Sequence, residues 1–290
     1  MVSHTQAEIE SQPDIWTRTL EVPRGDLPRA GLNVLGVGCG TSYYILDAYA
    51  RRREMLGRGR TRAWIATELA DEDPYDMAIL LSRSGTTSDL LPLAERLSER
   101  MTTIAITGTP DSPITRLTHR RVVLDFADEQ SVVQTRFATA ALTLLRASIG
   151  DDVTGLPAAA EQALREPLPD PADFDHVVFL GTGWTLGLAD EAALKCREAA
   201  KLWTESYAAL EYRHGPIACA GPRTLVWSFA PLPGDVTGAI AGTGATLRVA
   251  AADAQAELVM VQRLAVAFAR HRGLNSDNPD HLTRSVIVDR

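Results

Sequence analysis

Three cysteines in 290 residues, Cys39, Cys196 and Cys219, make no disulfide framework, and their spacing fits no zinc pattern. A reduced, cytoplasmic protein is therefore expected. No apolar run approaches a membrane span, and MVSHTQAEIESQPDIW lacks the apolar core of a signal peptide. Basic residues are also in short supply. The 29 Lys and Arg are outnumbered by 37 Asp and Glu, a net charge of −8, which argues against a broad nucleic-acid surface. A local basic site for a small anion is compatible with that balance. The six histidines do not cluster, so neither a metal nor another cofactor is expected.

What the chain does contain is ordinary globular material. It is 45% hydrophobic and 23% charged, in a length sufficient for two domains. One structural idea occurs twice. LNVLGVGCGTSYYILDAYARRRE and HVVFLGTGWTLGLADEAALKCRE each pass from an apolar stretch through a Gly-x-Gly turn into a helical pattern. Read side by side, Gly36 and Gly38 correspond to Gly181 and Gly183. A strand ending in such a turn lets backbone N–H groups and a helix N-terminus face an anion. The repeat suggests a duplicated α/β domain that handles a phosphorylated small molecule.

Periodicity places strands at 32–38, 64–67, 77–82, 101–107 and 122–126 and helices at 41–56, 86–100 and 130–149. One short helix plus a connection is expected over 5–21. A further helix at 157–164 leads into the Pro/Asp-rich REPLPDPADFD. The second copy reads as a strand at 176–180, a helix at 186–202 and a strand at 224–230. A Gly/Thr-rich loop or short helix follows, then a strand at 245–250, a helix at 258–272 and a polar tail. Alternation of this kind implies α/β domains, each a parallel sheet with helices on both faces. The division expected is an N-terminal helical segment 1–27, a first domain 28–150, a linker 151–175 and a second domain 176–290.

Four motifs carry candidate chemistry. In Cys39-Gly40-Thr41-Ser42, small residues let the backbone approach a ligand, and Thr41 and Ser42 offer hydroxyls. The same residues also suit a helix N-cap. Ser82-Arg83-Ser84-Gly85-Thr86-Thr87, between a strand and a helix, has the makings of a phosphate cradle. It lacks the lysine of a nucleoside-triphosphate loop, which suits a monophosphate. Glu191, Lys195 and Glu198 share one helical face. Such a ladder is usually a surface feature, but this helix is rich in apolar residues, and a buried carboxylate beside a lysine can shuttle protons. In Glu211-Tyr212-Arg213-His214-Gly215-Pro216, glycine and proline place His214 in a loop, where it can pass protons near neutrality. Gly36-Val37-Gly38-Cys39-Gly40 is not GxGxxG, and Glu68 lies too far along to bind a ribose, so dinucleotide binding is set aside.

CGTS, SRSGTTSDLL, EQSVVQTRFAT, DEAALKCREAAKLWTESYAALEYRHGP and NPDHLTRSV follow one another along the chain. In this order they resemble the sugar isomerase (SIS) domain proteins in tandem form, especially the isomerase half of the glucosamine-6-phosphate synthases. The resemblance implies two flavodoxin-like domains and a sugar-phosphate ligand. It implies that Ser82, Ser84 and Thr87 hold the phosphate, with Arg83 contributing backbone contact. Thr41 and Ser42 would line the sugar, and Val132 and Val133 would border the site. Glu198 would move a proton between C1 and C2, Lys195 would orient the substrate, and Glu191 would support Lys195. His214 would assist ring opening, supplied by the partner subunit of a homodimer with a shared active site.

Two departures narrow the activity. No glutamine amidotransferase segment is expected ahead of these motifs, since the sequence starts at Met1 rather than a cysteine nucleophile. Arg284 stands where the synthases have an imine-forming lysine, and a guanidinium does not form imines readily. The expected activity is that of a sugar-phosphate isomerase or aminosugar-phosphate deaminase/isomerase on a hexose 6-phosphate or its amino derivative. The proton would pass through an enediol or enolamine. A fructosamine-phosphate deglycase, a sugar-phosphate-binding regulator and an aminotransferase component fed with ammonia by a separate subunit are the alternatives. No nucleic acid or membrane partner is expected.

Overall fold

Short runs of Val, Ile and Leu bounded by glycine or turn residues become fully buried parallel strands when helices cover both faces of a sheet. Both halves of the chain use this solution. The computed structural model describes residues 3–70 and 74–288. Helices α1 (His4–Glu10) and α2 (Gln12–Leu20) come first. They are two helices and not the single one expected, because Pro13 at the start of α2 cannot continue a preceding helix.

The next elements are β1 (Val34–Gly38), α3 (Thr41–Met55), β2 (Thr61–Ile65), β3 (Met77–Leu81), α4 (Leu91–Ser98), β4 (Thr102–Thr107), α5 (Ile114–Leu117), β5 (Arg120–Val123) and α6 (Arg136–Ser148). Their sheet is parallel throughout, in the order β2-β1-β3-β4-β5. The remaining elements are α7 (Leu156–Arg165), β6 (His176–Gly181), α8 (Thr185–Ala200), β7 (Trp203–Ala208), β8 (Thr224–Ser228), α9 (Gly234–Gly242), β9 (Thr246–Val249) and α10 (Ala254–His271). Their sheet, also parallel, has the order β7-β6-β8-β9. The α/β class with two parallel sheets is thus as expected. Each order places the first strand of its set second, between a backward and a forward crossover, as in flavodoxin-like sheets.

The chain forms two compact units that do not follow the linear division expected from the sequence. The four-stranded unit takes the residues up to Glu10, Ser131–Val133 and Leu156–Leu282. The five-stranded unit takes Ser11–Gln130, Gln134–Gly155 and the residues from Thr283 onward. The helix α7, expected as part of a linker, is packed into the four-stranded unit, where it contacts α10.

Both sheets place their first strand second, but the glycine correspondence expected from the sequence is shifted by two residues. Gly38 ends β1 and Gly181 ends β6. An added Cβ would lie 2.8 Å from the Ser42 backbone carbon at Gly38, and 2.5 Å from Leu186 Cα at Gly181. The next glycines, Gly40 and Gly183, both take positive φ, 52° and 58°. Gly38/Gly40 therefore matches Gly181/Gly183, and Gly36 only packs on Leu46. Strand β7 was absent from the sequence reading because WTESYA is an edge strand with alternating polar residues and no apolar run.

In the five-stranded unit, Asp151 locks two helix ends. Its carboxylate accepts from Arg52 of α3 at 2.6 Å and from Arg146 of α6 at 2.8 Å. Burial pushes the carboxyl upward, but hydrogen bonds and charge from Arg52 and Arg146 outweigh it and hold the group below the ordinary carboxyl value. The stabilisation is therefore complete above that value and is lost as pH falls through the folded one. Asp151→Asn should lower stability by about 2 kcal/mol at pH 7. In urea unfolding, the variant and the wild type should converge at acid pH. A gap that persists there would contradict this account.

Candidate functional site

The ends of β1 and β3 are the topological switch point of the five-stranded unit, where open α/β sheets bind ligands. Thr41 and Ser42 begin α3 directly after β1, and both are buried. The Ser82–Thr87 loop follows β3, so the two hydroxyl-bearing segments belong to adjacent strands.

This loop is not the helix N-terminus expected from the sequence. A turn in which Leu90 N donates to Thr87 O precedes α4, and Pro92 fixes the helix start. The cradle is instead built of hydroxyls. Ser82 Oγ lies 3.3 Å from Thr87 Oγ1 and accepts from Gly85 N at 3.1 Å. Ser84 Oγ accepts from Thr86 N at 3.2 Å and from the Thr86 hydroxyl at 3.0 Å. The Arg83 carbonyl accepts from Gly108 N and the Thr107 hydroxyl, which pins the loop to β4. The Arg83 guanidinium turns inward, 1% exposed, and reaches Glu129 at 3.4 Å and the Arg284 carbonyl at 3.1 Å.

Arg284 belongs to this same unit. Its guanidinium contacts Asp128 at 2.5 Å and donates to the Glu129 carbonyl. Ser285 Oγ accepts from the hydroxyls of Ser84 and Thr86. Sequence reasoning missed Asp128, Glu129 and Ser285. The contacts that tie them to the loop and to Arg284 lie too far away along the chain for any local pattern to show them, as with Arg83 and Glu129 at a separation of 46 residues and Ser84 and Ser285 at 201.

The four-stranded unit holds the other candidates. On α8, Lys195 is 1% exposed and Glu191 fully buried, while Glu198 keeps 22% of its side chain exposed. The Lys195 ammonium donates to Glu198 at 2.5 Å and lies 3.4 Å from Glu191. A buried ammonium needs such counter-charges. The partly open Glu198 is the member of the three with access to a ligand. Burial pushes the neighbouring Cys196 thiol up to about 12, so it stays protonated and inert.

His214 closes a 3-10 turn, Glu211–His214, rather than sitting in irregular loop, and it is exposed. Val132 N donates to the Asp277 carbonyl at 2.9 Å, while Val133 is buried. Beside them, the Ser131 hydroxyl donates to the buried Glu8 carboxylate of α1. The 131–133 segment is thus tied to α1 and to residue 277. The only other lysine of the chain, Lys201, is paired with Asp280 at 2.6 Å. Among the described residues, no group of three or more His, Cys, Asp and Glu is placed to hold a metal ion, and no helix is long and apolar enough to cross a membrane.

Residues 29–149 match the family model for the SIS domain. The isomerizing glutamine–fructose-6-phosphate aminotransferase of Escherichia coli K12 is 32% identical over 259 residues, 74% of this chain and 42% of that protein. Its counterpart from Shewanella oneidensis is 31% identical over 212 residues, 63% of this chain and 35% of the relative. The chain thus spans about two fifths of the length of these relatives. Among solved structures, glucosamine-6-phosphate deaminase from Thermotoga maritima superposes with a TM-score of 0.85 at 27% identity, covering 99% of this chain and 100% of that one. Tagatose-6-phosphate ketose/aldose isomerase from Escherichia coli shares the fold, with a TM-score of 0.79 at 19% identity over 99% and 96% of the two chains. The chain belongs to the SIS-domain family.

The loop geometry depends on Gly85. Its φ is +64°, and an added Cβ would lie 2.2 Å from Ser112 Oγ. Gly85→Ala should cost about 1–3 kcal/mol of stability. Gly155→Ala, where nothing lies within 4 Å and the glycine has no positive φ, should be near neutral in the same thermal denaturation. Equal melting temperatures for the two variants would show that the loop does not need its left-handed turn.

Proposed function

We propose that the protein is a sugar-phosphate isomerase or aminosugar-phosphate deaminase/isomerase acting on a hexose 6-phosphate or its amino derivative. The observation that carries this reading is the Glu191–Lys195–Glu198 arrangement on α8, in a chain alike along its whole length to a glucosamine-6-phosphate deaminase. Phosphate recognition is assigned to Ser82, Ser84 and Thr87, and sugar contact to Thr41 and Ser42. Val132 and Val133 are assigned to the border of the site.

Glu198 is assigned as the base. Its carboxylate removes the proton from the carbon next to the open-chain carbonyl or imine and returns it to the neighbouring carbon. The Lys195 ammonium offsets negative charge that develops on the substrate oxygen and holds the carboxylate in place, while Glu191 holds the lysine. With an aldose phosphate, one proton transferred from C2 to C1 gives the ketose. With an amino sugar, the same transfer gives an imine at C2. Water then adds there and ammonia leaves. A sugar imine on the C-terminal segment is not part of this route. The chain has two lysines, Lys195 and Lys201, and Arg284 stands where the resemblance places the synthase lysine.

The test is a panel of hexose, hexosamine and fructosamine phosphates read by ketose and ammonia release. Glu198→Gln should retain substrate binding and lose about two or more orders of magnitude in turnover, the scale of a lost general base. Full turnover in Glu198→Gln would sink the assignment. Borohydride trapping with substrate should leave no adduct on the peptide containing Arg284.

The exposed His214 is assigned to ring opening in the site of a partner subunit within a homodimer. Mixing Glu198→Gln with His214→Ala should then restore part of the activity through hybrid dimers. Subunit exchange without recovery would show that each chain works alone.

A further inference from the structure

We propose that Ser285, in the segment that follows Arg284, is itself a phosphate-contacting residue, the terminal donor of a hydroxyl chain that starts in the loop after β3. This rests on the reading above, in which the loop receives the phosphate.

A serine or threonine hydroxyl has one proton to give and two lone pairs to receive. The Thr86 hydroxyl donates toward Ser84 Oγ and toward Ser285 Oγ, each at 3.0 Å. The Ser84 hydroxyl donates to Ser285 Oγ at 3.1 Å. Ser285 Oγ therefore receives from Ser84 and shares the single Thr86 proton with Ser84 Oγ. Its own proton has no acceptor among the described residues. A hydroxyl that accepts a hydrogen bond is polarised into a better donor. The proton that Ser84 cannot give twice is in effect passed on through Ser285.

The segment is held for this role. The Arg83 guanidinium donates to the Arg284 carbonyl, one residue before Ser285. The Arg284 side chain pairs with Asp128 at 2.5 Å, which neutralises that carboxylate. On the far side, Ser88 N donates to the Val286 carbonyl at 3.1 Å and Val288 N donates to Ser88 Oγ at 2.9 Å. Ser285 is thus fixed from both directions without using its proton. The three hydroxyls of Ser84, Thr86 and Ser285 share the wall of an open cavity of about 800 Å³, together with Thr109 and Arg284. That volume is in the range of small-molecule sites. An uncommitted, polarised donor beside two more hydroxyls suits an oxyanion. Arg83 is a positioning residue here, since it acts through the Arg284 carbonyl.

Calorimetric titration of the intact protein with glucosamine 6-phosphate and with inorganic phosphate tests the proposal. Ser285→Ala should weaken both ligands about tenfold or more, the effect of losing a hydrogen bond to a charged group. Ser285→Thr, which restores the hydroxyl, should stay near wild type, and the melting temperature of both variants should match it. Unchanged or tighter binding by Ser285→Ala, while Ser84→Ala weakens, would overturn the role of Ser285 and leave the loop as the phosphate site. Loss in both Ser285→Ala and Ser285→Thr would show that the residue matters by shape rather than by its proton, and would overturn the proposal too. Absence of binding by the wild type would overturn both readings together.

Discussion

A guanidinium that is 1% exposed needs a counter-charge, and in the loop after β3 Arg83 finds it in Glu129. Much of the five-stranded unit is organised by that pair. One oxygen of Glu129 faces Arg83, and the other accepts from Thr135 N at 2.6 Å, the Thr135 hydroxyl at 2.7 Å and Arg136 N at 2.8 Å. The same carboxylate therefore fixes the candidate phosphate loop and satisfies the first N–H groups of α6, where a negative charge is favoured. Through its second nitrogen, Arg83 also holds the Arg284 carbonyl. Removing either partner would strand a buried charge at a cost of about 3–5 kcal/mol. A surface arginine in the same loop would attract an anion more directly, but it would fix nothing.

The four-stranded unit reaches a comparable rigidity by a different distribution of charge. One buried ammonium, Lys195, stands between a fully buried and a partly open carboxylate. Only the open one, Glu198, can meet a ligand. The close approach of strand and helix at Gly38 and Gly181 is common to both units, and it is what places the residues after each first strand at the helix start. In the first unit those residues are Thr41 and Ser42, which carry hydroxyls. In the second they lead into the helix of Lys195 and Glu198.

Local signals of the sequence were legible. The spacing of Glu191, Lys195 and Glu198 placed them on one helical face, and the side chains do meet there. The apolar runs that became β1, β3, β4, β6 and β8 were readable because each is buried on both faces. What was not legible depends on local backbone geometry that periodicity does not show and on contacts between distant residues. The start of α4 was misplaced because a turn and Pro92 overrode helical periodicity. The register of the repeat slipped because LGVGCG contains two overlapping Gly-x-Gly patterns, and only the packing against Ser42 distinguishes them. The link from Ser84 and Thr86 to Ser285 has no local trace at all.

Underlying all of this is one chemical claim, that a side-chain carboxylate on α8 moves a carbon-bound proton of a sugar phosphate. The most direct measurement is proton NMR of fructose 6-phosphate or glucosamine 6-phosphate incubated with the wild-type protein in deuterium oxide. The account predicts that the signal of a hydrogen at C1 or C2 disappears as deuterium enters from solvent. A protein that demonstrably binds these sugar phosphates and leaves every carbon-bound hydrogen in place would contradict it.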